Sequence, residues 1–119
     1  MKANELRVGN LFSWCSTGEI GVVEDISTST NGYHNINNIN IKDCSPIKLT
    51  EEWLLKLGFK KSFEIWNKYT LDRYNSISEY EELSFSYLNF LGFVKKIKCV
   101  HELQNLYFAL TGEELIINT

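Results

Sequence analysis

The sequence predicts an α+β fold, in which an antiparallel β-sheet or a small barrel-like β region carries two amphipathic helices packed on it. Two segments, 50–58 and 100–111, place apolar residues at helical spacing, whereas short strand-like runs occupy most of the remaining chain. The connections between these runs are short, which favours antiparallel pairing with the helices on one face of the sheet.

The whole chain is expected to form one domain. Its 119 residues, of which 44% are hydrophobic, are enough for a packed core. The predicted parts are an N-terminal β-hairpin region (1–48), a helix (50–58), a β-meander (60–99) and a C-terminal helix (100–111). Strands are expected at 11–15, 21–27, 36–41, 63–66, 69–74, 83–90 and 93–100. Asn31-Gly32 is typical of a hairpin turn, since both residues tolerate positive φ.

The C-terminal helix has the clearest pattern. At about 100° per residue, one side collects an apolar stripe that we expect to be buried. The stripe consists of Val100, Leu103, Leu106, Tyr107 and Leu110. Gly112 follows as the predicted C-cap, because glycine takes the left-handed conformation without a Cβ penalty.

The opposite side of this helix carries His101, Gln104, Asn105 and Phe108. The first three suit a solvated face, but Phe108 needs a cover. That cover is a strand or loop of the same chain, a second subunit or a ligand, and the sequence leaves these alternatives open.

The shorter helix has recognisable ends. Thr50 is a suitable N-cap, and Gly58 is expected to end the helix. Its buried side should consist of Trp53, Leu54 and Leu57. The asparagine-rich run 34–41 offers amides for a polar ligand, although such a run is also typical of a solvated edge strand.

Charge and cysteine content exclude several classes of protein. The net charge of −3 gives no general attraction to nucleic acid or anionic membranes, and we predict neither as a partner. The three cysteines are widely spaced and the N-terminus lacks a signal-peptide pattern, which indicates a reduced, intracellular protein. No apolar run is long enough for a membrane span, so a cytoplasmic location in a bacterial host is expected.

Catalytic and metal-binding motifs are missing from the sequence. It has no phosphate-binding glycine loop, no G-x-S-x-G elbow and no H-E-x-x-H helix. Cys99 lies close to His101 in sequence, but a buried structural cysteine explains it as well as a thiolate–base pair does. We therefore predict no enzyme, no catalytic residues, no metal and no cofactor.

Three segments resemble a family of small uncharacterised phage and prophage proteins of Bacteroidetes. They are Lys-Ala-Asn-Glu-Leu-Arg-x-Gly-Asn at 2–10, Leu-Thr-Glu-Glu-Trp-Leu-Leu-Lys-x-Gly-Phe at 49–59, and Val-His-x-Leu-Gln-Asn-Leu-Tyr-Phe-Ala-Leu-Thr-Gly-Glu-Glu-Leu at 100–115. This resemblance implies a phage-type protein acting inside a bacterial host. It implies no reaction, because the family has no assigned chemistry.

The first functional hypothesis is a protein that sequesters a nucleotide-derived signal of host immunity. Such a ligand needs aromatic rings for stacking, and amides and cations for ribose and phosphate. The predicted ligand-binding residues are Arg7, Trp14, Tyr33, Lys96, Lys98, Gln104 and Asn105. Lys96 and Lys98 share one face of a predicted strand, so a plain solvated or edge-blunting face explains them equally well.

The alternative hypothesis is a protein-interaction module without a small-molecule ligand. Its contact surface is the outer face of the C-terminal helix, where His101 and Phe108 are the predicted interface residues. The open edge of the meander offers a second route, by adding to a partner's sheet. The partner is either a second copy of the chain, giving a homo-oligomer, or a host protein.

Overall fold

Antiparallel strands form three separate sheets within the described part of the chain. The computed structural model describes residues 2–30, 32–63, 67–72, 75–81, 84–89, 92–115 and 117. The α+β class and the antiparallel pairing are confirmed. The expected single sheet or barrel-like region is wrong, because the strands of the N-terminal half pair with one another in two small sheets and not with the meander.

The first sheet brings together distant parts of the N-terminal region. Its strands, in the order β2-β1-β6, are β1 (Leu11–Trp14), β2 (Ile20–Val22) and β6 (Cys44–Ser45). Gly21 in β2 allows a close approach to β1. A Cβ atom on Gly21 would lie 2.7 Å from Cζ of Phe12 and 3.0 Å from Nε1 of Trp14.

The second sheet is a small meander of β3 (Ile26–Thr28), β4 (His34–Ile36) and β5 (Ile39–Asn40). The predicted strand 36–41 is therefore wrong, because Asn37 and Asn38 both have positive φ and form a tight turn inside it. The Asn37 side chain accepts hydrogen bonds from the N–H groups of Glu24 and Asp25, at 2.8 and 3.1 Å. These bonds lie in the middle of the predicted strand 21–27, which is divided between β2 and β3.

A small apolar core includes residues from both N-terminal sheets. Its buried members are Leu6, Phe12, Val23, Ile36 and Cys44. Burial raises the pKa of the Cys44 thiol, so this cysteine is a neutral apolar side chain in the core at neutral pH.

The third sheet is the meander of the C-terminal half, with the strand order β11-β10-β9-β8-β7. Its strands are β7 (Lys60–Lys61), β8 (Lys68–Thr70), β9 (Ser76–Glu81), β10 (Ser84–Asn89) and β11 (Gly92–Ile97). The predicted strand 63–66 falls largely outside the described residues, and Phe63 is not in a strand. The larger core lies against this sheet, with Tyr69, Ile77, Phe85 and Tyr87 buried in it.

The two helices differ in size. α1 (Glu51–Lys56) is a six-residue helix, capped by the Thr50 hydroxyl, which accepts a hydrogen bond from the N–H of Trp53 at 3.3 Å. α2 (Val100–Thr111) is the main helix and ends at Gly112, whose φ is 75°. The expectation of two amphipathic helices is thus too simple, since α1 is short and α2 is covered on two sides.

Burial along α2 departs from the predicted stripe. Val100, Leu103 and Tyr107 are buried as expected, but Leu110 is 43% exposed. His101 and Gln104, which were expected on a solvated face, are each only 2% exposed. Each residue of the last turn, from Phe108 to Thr111, is exposed, although Phe108 only to 39%. Among the described residues, no helix has the length and apolar character needed to cross a membrane.

Candidate functional site

The N-terminal segment 5–11 packs on the face of α2 that the sequence predicts to be solvated. The side-chain oxygen of Gln104 accepts a hydrogen bond from the N–H of Leu11 at 2.8 Å. Its side-chain nitrogen donates to the carbonyl oxygen of Gly9 at 3.2 Å. Gln104 therefore pairs with the backbone of this segment and is not available to a ligand in this arrangement.

Asn105 extends the same attachment by one residue. Its side-chain nitrogen donates to the carbonyl oxygen of Glu5 at 2.7 Å. Its side-chain oxygen accepts from Nδ2 of Asn10 at 2.8 Å and from Nε of Arg7 at 3.2 Å. Asn10 is fully buried, so its bond to Asn105 satisfies an amide nitrogen that has no access to water.

The Arg7 side chain links the segment to the end of α2 and the residues beyond it. Its guanidinium nitrogens pair with both carboxylate oxygens of Glu114, and one of them donates to the carbonyl oxygen of Gln104 at 3.4 Å. The guanidinium carbon lies 4.2 Å from the centroid of the Phe108 ring. Arg7 is thus a cover for Phe108 within the chain, although 39% of Phe108 remains exposed.

The other four predicted ligand-binding residues do not share a pocket with Arg7. Trp14 is half-buried and meets the edge of Phe12, with ring centroids 4.6 Å apart. Tyr33 is exposed beside Lys42, whose Nζ lies 5.1 Å from the ring centroid. Lys96 lies over Tyr80 at 5.1 Å, and Lys98 is exposed after β11. The ligand-binding role of this set of residues remains a prediction.

A cleft of about 690 Å³ opens between the N-terminal segment and the junction of β11 with α2. We call it the His101 cleft. Its more buried lining residues are Cys99, His101, Glu102 and Asn105. Its exposed lining residues are Lys2, Asn4, Glu5, Pro46 and Lys95. Of the predicted ligand-binding and interface residues, Asn105 and His101 are therefore brought together here.

His101 is the unusual member of the cleft. The predicted interface residue is buried rather than outward-facing, because the N-terminal segment covers this side of α2. Within the described part of the chain, neither ring nitrogen has a hydrogen-bond partner. The nearest charged group is Glu5, whose Oε2 is 3.5 Å from Nε2, close enough for a charge contact but without hydrogen-bond geometry.

The carboxylate of Glu102 is already engaged at the start of α2. Its Oε1 accepts hydrogen bonds from the N–H groups of Cys99 and Lys98, at 3.1 and 3.2 Å. This is the acidic half of a capping box, and it favours the helix N-terminus electrostatically. Burial, and then the charge of Glu102, raise the pKa of the Cys99 thiol to about 11. Cys99 is therefore a neutral thiol at pH 7, the state expected of a structural cysteine.

A second cavity, of about 590 Å³, lies at the β7 edge of the third sheet. It is mainly apolar, and Leu55, Phe59 and Phe63 contribute its hydrophobic lining. Phe63 is fully exposed. Lys60 and Lys61 flank the cavity, and Lys61 pairs with Glu51 at 3.3 Å.

Sequence reasoning missed most of the cleft. Lys2, Glu5 and Pro46 carry no sequence pattern of their own, and they come together at the cleft only in the folded chain. Lys95 precedes the predicted ligand-binding residues Lys96 and Lys98 in sequence, and it lines the cleft whereas they do not. In the described residues, no three His, Cys, Asp or Glu side chains are grouped closely enough to hold a metal ion.

Comparison with known proteins found no match among family models, curated proteins or solved structures.

Proposed function

We propose that this chain is a non-enzymatic binding protein that holds a small polar ligand in the His101 cleft. The observation that carries the proposal is a buried imidazole, without a hydrogen-bond partner among the described residues, in the wall of a cleft of about 690 Å³. Cavities of roughly 300 to 1,000 Å³ with a few polar groups are typical of ligand sites. Buried polar groups are normally satisfied, so a ligand atom beside His101 would complete the site.

The proposed ligand is nucleotide-derived, and the proposed role is to sequester an immune signal in the cytoplasm of a bacterial host. The resemblance to phage and prophage proteins supports the role. Two features of the cleft are compatible with the ligand class: the ammonium groups of Lys2 and Lys95 suit phosphate, and the amide of Asn4 suits hydroxyl or base-edge groups. Trp14 and Tyr33 do not line the cleft, so base stacking on them is no part of this proposal.

Native mass spectrometry tests the proposal directly. The purified protein is measured alone and after incubation with a panel of nucleotides and cyclic nucleotide signals. We expect a discrete added mass in fixed ratio to the chain. If no member of the panel adds mass to the protein, nucleotide sequestration is contradicted.

The second candidate function is protein interaction through the end of α2. The observation that favours it is the exposed last turn, where Phe108 and Leu110 are large apolar residues open to solvent on different sides of the helix. The β7 edge with the exposed Phe63 offers another contact of the same kind. The proposed partner is a second copy of the chain or a host protein.

Size-exclusion chromatography with light scattering separates this candidate from the first. Leu110→Asp leaves the stacking of Arg7 on Phe108 intact, so it changes only the exposed turn. If α2 forms an oligomer interface, this variant should become monomeric. An unchanged mass for Leu110→Asp, or a monomeric parent protein, would argue against a homo-oligomer at this face.

A further inference from the structure

We infer that the His101 cleft recognises an anion, with a phosphate or carboxylate group of the ligand bound by Lys2 and Lys95 and hydrogen-bonded by the His101 ring. This inference rests on the proposed function, and it adds the charge of the ligand and the groups that read it. Lys2 lies just before the N-terminal segment 5–11 and Lys95 lies in β11, so two separate parts of the chain supply the positive charge.

The lysines are available for such a ligand. Within the described part of the chain, neither Lys2 nor Lys95 has an ion-pair partner, whereas Lys56 pairs with Glu52 and Lys61 with Glu51. Both lysines are exposed and line the cleft. An ammonium group at the mouth of a cleft attracts anions and donates hydrogen bonds to them.

The acidic residues of the cleft differ in how much negative charge they place near a bound anion. Glu102 has its carboxylate engaged by two backbone N–H groups, which offset its charge. The thiol of Cys99 is neutral, so it adds no negative charge to the cleft wall. Glu5 is the remaining carboxylate, and its side chain is 46% exposed.

The position of Glu5 indicates that an anionic oxygen can lie beside the His101 ring. Its Oε2 lies 3.5 Å from Nε2 of His101, so the protein already places an anionic oxygen near this ring. The contact lacks hydrogen-bond geometry, and Nδ1 has no partner among the described residues. A ligand anion that displaces the half-exposed Glu5 carboxylate from the ring can make the hydrogen bond that Glu5 does not make.

The two histidines of the chain provide an internal comparison for the test. His34 lies in the second sheet and contacts the Thr28 hydroxyl at 3.2 Å, away from the cleft. In protein labelled with ¹³C and ¹⁵N, the ring signals of both histidines are followed by NMR. The probes are inorganic phosphate, adenosine monophosphate and citrate, added at constant pH and ionic strength. We expect saturable shifts of the His101 ring signals and unchanged His34 signals.

Charge-neutral variants locate the anion. Lys95→Gln should weaken binding of the responsive probe by about tenfold, because it removes a charge-assisted contact. Lys2→Gln should have a similar effect. Lys56→Gln is the matched control, since Lys56 is an exposed lysine of α1 outside the cleft, and we expect its affinity to equal that of the parent.

The outcomes distinguish this inference from the proposed function. A response to phosphate and adenosine monophosphate but not citrate assigns the anion as phosphate, and the reverse assigns it as carboxylate. If a small molecule binds while the His101 ring does not respond, or if Lys95→Gln and Lys56→Gln bind equally well, the anion site is overturned but a binding protein remains. If neither these probes at millimolar concentration nor the nucleotide panel bind, both proposals fail.

Discussion

The guanidinium of Arg7 lies over the ring of Phe108, 4.2 Å from its centroid, while its nitrogens pair with the carboxylate of Glu114. This arrangement joins residues that are 107 positions apart in sequence. Arg7 therefore has a structural role. Its side chain holds the N-terminal segment against α2 and thereby fixes one wall of the His101 cleft.

Replacing Arg7 by alanine is predicted to lower the free energy of unfolding by about 1 to 2 kcal/mol, a figure that allows for the partial solvation of the ion pair. The variant loses the pairing with Glu114, the bond to Asn105 and the stacking on Phe108. Urea denaturation of Arg7→Ala, Phe108→Ala and the double variant measures the coupling between the two side chains. Strict additivity would show that the stacking contributes nothing.

Substitution of Gln104 should reduce stability more than its predicted place on a solvated helix face suggests. Gln104→Ala leaves the N–H of Leu11 and the carbonyl of Gly9 without their partner, so we expect a loss of about 1 to 3 kcal/mol in unfolding free energy. The control is Ala109→Ser, a substitution on the exposed last turn of the same helix. Equal stability of the two variants would contradict the buried role of Gln104.

Gly21 is predicted to tolerate no side chain. The Cβ of Gly21→Ala would lie 2.7 Å from Cζ of Phe12, so the ring must move, and overpacking of this kind costs about 1 to 3 kcal/mol. Thermal unfolding followed by circular dichroism measures the loss. Phe12→Leu should cost less in the Gly21→Ala background than in the parent, whereas an equal cost in both would show that the clash is not with this ring.

Cys99 should react slowly with alkylating reagents at neutral pH, because its pKa is raised from 9.0 to about 11 and little thiolate is present. Peptide mass spectrometry after iodoacetamide treatment measures this, with the exposed Cys15 as the fast internal reference. Reaction of Cys99 as fast as Cys15 would contradict a neutral, shielded thiol.

The same shift predicts a loss of stability in alkali. Folded Cys99 holds its proton more tightly than the unfolded chain does, so its contribution is complete below pH 9.0 and is lost as the pH rises towards about 11. Cys99→Ser should lose less stability than the parent across this interval in urea denaturation. Parallel pH profiles for the two proteins would assign the alkaline loss to other groups.

Local patterns predicted the parts of the fold that depend on local physics. The range of α2 and its end at Gly112 follow from helical spacing and from the preference of glycine for positive φ. Thr50 caps α1 as predicted, because its side-chain oxygen accepts a hydrogen bond from an N–H group of the first helical turn.

The docking of the N-terminal segment on α2 could not be predicted from the sequence. His101 and Gln104 have polar side chains at outward helical positions, and nothing in their spacing reveals that residues 5–11 cover them. The cleft combines residues as distant as Lys2, Pro46 and Lys95, so its charge pattern exists only after folding. Asn37 and Asn38 show the same limit on a local scale, since both have positive φ and form a turn that divides one apparent strand into β4 and β5.

The bonds from Gln104 to Gly9 and Leu11 have a consequence for how the molecule assembles. They close a loop between positions 95 and 93 residues apart, which is entropically costly until α2 and the third sheet are in place. We therefore expect the N-terminal segment to dock in one of the last steps of folding. The His101 cleft is then absent from partly folded chains, and affinity for its ligand would appear only when the first and last elements of the chain have met.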